Sequence, residues 1–259
     1  MPDDRPLADT VAVVTGALGN LGPHWVHALA RAGAEVVAVD IRDAASHEIE
    51  GISRFEIADV TDRAALERAR ERLSDLGAPA VLVNNAGIDQ PPGADAERHL
   101  VQDIPSEVFG RTLEVNLAGT FHATQVFGAP MVEAGRGSVI NIGSLYAGIA
   151  PEPRFYDHLP GDPPFLKPPA YGASKAGVLN LTRYFARLWG PRGVRVNALS
   201  PGGVEGGQDP EFLSKYNARV PLGRMAAPED LTGPLIFLAS EESRYVTGHE
   251  LKVDGGFTA

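Results

Sequence analysis

Short apolar runs rich in β-branched residues alternate with helix-patterned stretches along the whole chain, and this alternation most limits what the chain can fold into. The predicted strands are Thr10–Thr15, Glu35–Asp40, Arg54–Ala58, Ala80–Asn84, Ser138–Ile142, Arg195–Leu199 and Glu250–Val253. Val36-Val37-Ala38-Val39 has no polar alternate, so it suits a strand covered on both faces. Asp62–Leu76 reads as an amphipathic helix, with Ala65, Leu66, Ala69 and Leu73 on one face. Tyr171–Trp189 reads as a long helix, apolar on more than one side through Val178, Leu179, Phe185 and Leu188. The expected fold is α/β, a doubly wound parallel sheet of about seven strands with helices on both faces and right-handed crossovers. No linker and no internal repeat divides residues 1–259, so one domain is expected.

Several classes of chemistry are excluded by what the chain lacks. It has no cysteine, which removes disulfides, thiolate nucleophiles and iron–sulfur clusters. His24 and His27 have no carboxylate or histidine at ligand spacing, so no metal is expected there. The opening Met1-Pro2-Asp3-Asp4-Arg5 carries acid where a signal peptide carries base, and no apolar run reaches the ~18 residues of a membrane span. A cytoplasmic location is expected, with no membrane partner. With 23 basic against 33 acidic residues the net charge is −10, and no Lys/Arg cluster offers phosphate neutralisation. A small-molecule partner is favoured over nucleic acid. Met131, Met225, Trp25 and Trp189 read as packing residues, and Asn180-Leu181-Thr182, a glycosylation triplet on a helix, carries no meaning in that compartment.

The first predicted strand ends in Thr15-Gly16-Ala17-Leu18-Gly19-Asn20-Leu21-Gly22, with a helix directly after it. Glycines at such a turn let backbone approach a pyrophosphate, and the helix N-terminus attracts its charge. Taken alone, the glycines are equally explained by a tight structural turn. Asp40 ends the second strand 24 residues past Gly16, where a Rossmann-type fold needs a carboxylate for ribose hydroxyls. That carboxylate repels a 2′-phosphate and selects NAD. Arg42, two positions on, is placed to reach such a phosphate and leaves NADP open.

Tyr171 and Lys175 are four apart and share a helix face. An ammonium roughly 5 Å from a phenol, at an effective dielectric near 20, is worth about 3 kcal/mol, or on the order of two pK units. The spacing therefore predicts an acid–base device whose phenol is drawn down from its usual range. Ser144 ends the fifth strand upstream of it.

With these motifs in this order, the sequence resembles the short-chain dehydrogenase/reductase family in its compact single-domain branch. The resemblance runs the length of the chain. It includes Asp59-Val60, Asn84-Asn85-Ala86-Gly87, Asn116, Ser144, Tyr171-x-x-x-Lys175, Pro201-Gly202-Gly203-Val204 and Val246-Thr247-Gly248 followed by Val253-Asp254-Gly255-Gly256. It implies Tyr171 as general acid/base and Ser144 as hydrogen-bond partner of the reacting oxygen. Lys175 would bind the nicotinamide ribose and lower the Tyr171 pKa, and Asn116 would bend its helix and hold a relay water. Gly16, Gly19, Asn20, Leu21, Gly22 and Asp40 would hold the pyrophosphate and adenosine ribose. Asp59 and Val60 would contact adenine, and Asn85, Ala86 and Gly87 the adjoining ribose. Pro201, Gly202 and Val204 would lie beside the nicotinamide. NAD is the implied cofactor, a homotetramer the implied assembly, and a secondary alcohol or ketone the implied substrate. A 3-oxoacyl thioester reductase shares these residues, and a catalytically idle dinucleotide sensor shares the fold.

Three departures from the family pattern stand out. Gly16-x-x-Gly19-x-x-Gly22 places Asn20 where the compact branch has glycine, although Asn tolerates left-handed backbone. Glu205-Gly206-Gly207 replaces the usual carboxamide-binding Thr, which predicts a mobile loop. Ser144 and Tyr171 are about twice the usual distance apart. The gap is filled by Pro151 to Pro169, which holds seven of the 21 prolines together with Phe155, Tyr156, His158 and Phe165. Such a run is neither helix nor central strand, and reads either as a disordered loop or, because disordered segments lack aromatics, as an ordered substrate lid at about 150–169. Glu152, Arg154, Tyr156, His158 and Lys167 are its candidate substrate contacts. Similar insertions in relatives linked to sugar oxidation point to a sugar-like or polyol substrate.

Overall fold

The structure, a computed structural model, describes residues 5–43, 49–90, 92 and 98–259. The acidic opening read at Met1 to Asp4 lies outside the described residues. Seven parallel strands form one sheet: β1 (Val11–Thr15), β2 (Glu35–Asp40), β3 (Ile52–Ile57), β4 (Val81–Asn84), β5 (Gly137–Ile142), β6 (Val194–Pro201) and β7 (Glu250–Val253). Their spatial order is β3-β2-β1-β4-β5-β6-β7. The order reverses between β1 and β4, and such a reversal opens a crevice at the carboxyl ends of the strands. The doubly wound expectation and its strand count agree with this sheet. The third strand begins two residues earlier than expected, and the sixth runs on to Pro201 because Ser200 and Pro201 pair with Lys252 and Val253.

The helices are α1 (Gly22–Arg31), α2 (Arg63–Arg72), α3 (Ser106–Leu113), α4 (Gly119–Ala134), α5 (Pro169–Trp189), α6 (Pro210–Asn217) and α7 (Thr232–Ala239). The stretch expected as one helix from Asp62 to Leu76 is α2 followed by a 3₁₀ turn over Ser74–Leu76. Asp62 is its N-cap and accepts from the Ala65 amide at 3.1 Å. Two apolar layers sandwich the sheet. Trp25, Leu29, Leu235 and Leu238 fill one, and Leu66, Phe127, Met131 and Phe185 the other. Four buried polar residues cross the second layer. The Asn84 amide donates to Thr124 Oγ1 (2.9 Å) and Asn141 Oδ1 (2.8 Å), and the Asn141 amide donates to Thr182 Oγ1 (2.8 Å). This chain locks β4 and β5 to α4 and α5, the helices nearest the carboxyl-end crevice.

The Pro-rich segment folds back over the C-terminal part of the sheet. Phe155, Tyr156 and Phe165 are each under 5% exposed and pack with Leu145, Phe212, Tyr216, Val220 and Met225. Ring centroids lie 5.0–5.7 Å apart for Phe155–Tyr216, Tyr156–Phe165, Tyr156–Phe212, Phe212–Tyr216 and Tyr216–Phe257. Aromatic pairs at such distances add about 0.5–1.5 kcal/mol each beyond area burial. The aromatics of the segment thus form a packed cluster. No described helix is long and apolar enough to cross a membrane.

Candidate active site

The crevice begins with the turn between β1 and α1. Gly16 has φ +63°, and a Cβ there would sit 2.6 Å from the Ala86 Cα; a Cβ at Gly22 would sit 2.3 Å from the Ala17 carbonyl oxygen. Neither position admits a side chain. Asn20 keeps a negative φ, so the replaced glycine is not required by left-handed backbone. The turn is braced from three sides. Asp40, 5% exposed, accepts from the Leu18 amide at 2.9 Å. Thr15 Oγ1 accepts from the amides of Asn85 (3.1 Å) and Ala86 (3.2 Å), and the Asn85 side-chain amide donates to the Gly16 carbonyl at 2.8 Å. The Trp25 indole donates to Asn85 Oδ1 at 2.8 Å, so a residue read as packing alone also orients the turn.

This geometry fits a dinucleotide. The amides of Asn20 and Leu21, at the mouth of α1, carry no hydrogen bond among the described residues. They lie where a helix N-terminus attracts a phosphate. Asp40 Oδ1 accepts from the Arg42 amide (3.0 Å) and its Nε (3.2 Å), so the guanidinium that could approach a 2′-phosphate is paired to the carboxylate that opposes one. Asp59 Oδ1 caps the Thr61 amide at 2.8 Å, and Val60 lies against Gly119, where a Cβ would come within 2.6 Å of it.

Asn116 lies in a π-helical turn, Glu114–Ala118, between α3 and α4. The bend expected at this residue is thus a wide turn. Its Oδ1 accepts from the Ile88 amide at 2.7 Å, and its Nδ2 donates to the Ile88 carbonyl at 2.9 Å and to Ser174 Oγ at 3.1 Å. One buried amide therefore ties the loop after β4 to the first turns of α5.

Tyr171 is the third residue of α5, and the structure brings it together with Ser144 and Lys175. Ser144, 7% exposed, caps a 3₁₀ turn by accepting from the Tyr146 amide at 3.2 Å. The Lys175 ammonium lies 5.7 Å from the centre of the Tyr171 ring and donates to the Ile142 carbonyl at 2.7 Å. Burial pushes the Tyr171 phenol above its usual range, the Asp89 charge adds to this, and the hydrogen bond with the Ser144 side chain opposes both. The expected lowering by Lys175 is not found in the chain alone. Lys175 is itself drawn down to about 8, because burial disfavours its charge more than Asp89 supports it.

The remaining sequence candidates divide in two. Gly202, whose amide donates to the Val253 carbonyl at 2.9 Å, follows Pro201 at the end of β6. Val204 pairs with Ala226 as an isolated bridge. The loop expected to be mobile is tied by Glu205 N to Ala226 O (2.9 Å), Gly206 N to Gln208 Oε1 (2.9 Å) and Gln208 Nε2 to Val204 O (2.9 Å). In the insertion, only Lys167 reaches Tyr171, with its ammonium 5.5 Å from the ring centre. Tyr156 is buried in the aromatic cluster. Glu152 pairs with Arg219 (2.8 Å) and Arg154 (3.2 Å). His158 Nε2 lies 2.8 Å from Asp209 Oδ1, and Lys215 Nζ lies 3.2 Å from its Nδ1. These contacts dock the insertion on α6. Asp157, His158 and Glu211 have donor types that suit a metal, but the Lys215 ammonium sits among them, 2.5 Å from Asp157 and 2.7 Å from Glu211. A cavity of about 440 Å³ beside Val11, Val13 and Pro79 lies at the opposite, amino end of the strands and touches none of this chemistry.

Similar proteins place the chain in a family. The family model described as enoyl-(acyl carrier protein) reductase matches residues 16–258. The chain belongs to the short-chain dehydrogenase/reductase family. It is 34% identical over 258 residues to a galactitol 2-dehydrogenase (L-tagatose-forming) of Cereibacter sphaeroides, covering 95% of this chain and 94% of that one. A short-chain dehydrogenase of Leptospira borgpetersenii, solved with bound NAD⁺, superposes with a TM-score of 0.86 at 32% identity, covering 98% of this chain and 94% of that one. A gluconate 5-dehydrogenase of Burkholderia cenocepacia, in complex with NADP and tartrate, gives 0.84 at 30% identity, covering 98% of each chain. The family binds a nicotinamide dinucleotide, and the chain is an oxidoreductase acting on CH–OH groups.

The Lys175 charge sets a stability test. Its folded pKa of about 8 lies below its unfolded value near 10.4, so between these the unfolded chain binds more protons and stability rises with pH. The depression of about two units corresponds to about 3 kcal/mol. Lys175→Met should remove that rise. Urea unfolding of both proteins from pH 7 to 11 should show the variant's advantage shrinking as pH passes from 8 to 10.5; a constant difference would contradict the buried charge.

Proposed function

We propose that the chain transfers hydride between NAD(H) and a secondary alcohol or ketone of a sugar-like or polyol substrate. The supporting observation is the Ser144–Tyr171–Lys175 group at the carboxyl ends of the strands, with Ser144 and Lys175 buried and Tyr171 partly exposed, beside a glycine turn shaped for a pyrophosphate. The bound dinucleotide would take up hydride in oxidation and give it back in reduction. Tyr171 Oη receives the hydroxyl proton in oxidation and returns it in reduction. In the chain alone burial favours the protonated phenol, the form that donates in reduction. Ser144 orients the substrate oxygen by hydrogen bonding. Lys175 is placed to bind the nicotinamide ribose, and Asn116 keeps the Ile88 peptide and Ser174 in register for both.

NAD is the proposed cofactor because Asp40 ends β2 at the site of the adenosine ribose and holds Arg42 in an ion pair. The polyol reading draws support from the galactitol 2-dehydrogenase relative and from the polar groups beside Tyr171. The family description keeps acyl thioesters as the second reading, against which the charge of −10 counts, since an acidic carrier protein needs a basic surface. A homotetramer is proposed from α5, which leaves Tyr184 and Leu188 more than half exposed, and the insertion is read as the substrate lid. A cytoplasmic location remains part of the same reading.

Three measurements test these points. Tyr171→Phe should lower turnover at least 10³-fold while NADH affinity stays within threefold; equal turnover would overturn the acid/base assignment. NAD⁺ should exceed NADP⁺ at least tenfold in kcat/KM for whichever polyol of a panel is oxidised fastest, and Asp40→Ser should cut that ratio tenfold or more. Light scattering should give four times the monomer mass of 27.4 kDa, and a monomer would refute the assembly.

A further inference from the structure

Lys167 is an uncommon neighbour for the phenol. It comes from the insertion and not from α5, and its side chain is only 7% exposed. Its ammonium lies 5.5 Å from the centre of the Tyr171 ring and 6.0 Å from that of Tyr146. A cation so covered needs a counter-charge, and it donates to Asp89 Oδ2 at 2.5 Å. Asp89 differs in being 35% exposed, so its carboxylate retains accepting capacity on the open side. Its other oxygen accepts from the Gln90 amide at 2.8 Å. The preceding residue, Ile88, is gripped at both its amide and its carbonyl by Asn116. The carboxylate therefore has a fixed place beside Tyr171, and the ammonium has one only while the insertion is docked.

We infer that the Asp89–Lys167 ion pair is the specificity element of the substrate site, and that it reads a hydroxyl adjacent to the reacting carbon of a neutral polyol. The inference rests on the oxidoreductase reading above. A hydroxyl both donates and accepts, so it can donate a hydrogen bond to Asp89 and accept one from Lys167 in one bridge. A plain apolar alcohol satisfies neither group and removes water from an exposed carboxylate oxygen, which is unfavourable without a replacement bond. A substrate carboxylate gains from Lys167 only by displacing Asp89, whose neighbour Ile88 is bonded to Asn116, and is otherwise repelled by it. The arrangement thus selects against charge on one side and against an apolar neighbour on the other.

Binding can be read without turnover. In a Tyr171→Phe background with saturating NAD⁺, calorimetry is to be run with erythritol, threitol, xylitol and galactitol, with gluconate, and with cyclohexanol. The tightest polyol should bind at least tenfold better than either of the other two classes. Adding Asp89→Asn or Lys167→Met should weaken that polyol at least tenfold and leave cyclohexanol within threefold. Lys167→Arg, which keeps the charge, should recover part of the loss. Gluconate binding tightest, or an equal loss for every ligand, would overturn the assignment, the first by showing an anion site and the second a purely structural pair. Wild-type enzyme that oxidises no alcohol with either dinucleotide refutes the functional reading. Wild-type enzyme that oxidises polyols, with variants that lose all ligands alike, refutes only the role given to the pair.

Discussion

The site is organised by a single side-chain amide. Asn116 uses its oxygen and both of its amide hydrogens to hold the Ile88 peptide and the Ser174 hydroxyl, three residues past Tyr171. Buried neutral hydrogen bonds each contribute about 1 kcal/mol to stability, and losing the partner of one costs more than making it gains. The consequence is geometric more than energetic. The loop that follows β4 and the helix that carries Tyr171 and Lys175 come from segments more than 80 residues apart, yet one rigid group fixes their separation. The amide is presented to both partners from the π-helical turn at Glu114–Ala118, in keeping with the tendency of such turns to occur at functional sites.

Proton affinities in the cleft are governed by burial rather than by the charge of Lys175. The argument from four-residue spacing assigns about 3 kcal/mol to an ammonium beside a phenol at an effective dielectric near 20. It assumes that the ammonium is fully charged. In the folded chain Lys175 is 6% exposed, its own charge is disfavoured, and Tyr171 moves upward. Spacing places the two groups, and solvent exclusion sets how tightly each holds its proton.

Much of this was legible from sequence because it is periodic or local. The apolar runs of β1, β2, β4 and β5, the glycine turn, Asp40 and the Tyr171–Lys175 pair are all read within a few residues of themselves, and the sheet contains those strands in parallel. The contacts that were missed join residues far apart: Trp25 to Asn85, Asn84 to Asn141 and Lys167 to Asp89 are separated by 60, 57 and 78 positions. A linear pattern carries no signal for them. Trp25 was read as packing, and its burial is indeed complete, yet an indole N–H inside a core still needs an acceptor. His158 was read as a substrate contact because the insertion that carries it was read as the substrate lid. The structure turns it toward Asp209 and Lys215, since a partly buried imidazole is best satisfied between an acceptor and a donor. The Glu205-Gly206-Gly207 loop was expected to move because glycine permits it, and backbone pairing across Val204 and Ala226 restrains it.

The aromatic cluster has a mechanical corollary. Phe155, Tyr156 and Phe165 interlock with Phe212 and Tyr216, and the Tyr216 hydroxyl in turn accepts from the Gly203 amide at 2.6 Å, directly after the Pro201-Gly202 backbone. Prolines at both margins of the insertion leave little slack for a hinge of its own. The insertion and α6 are therefore packed as one slab, and Tyr216 bonds that slab to the backbone that follows β6. A loosening of the aromatic cluster would thus be felt at the Gly203 backbone, at the far side of Tyr216.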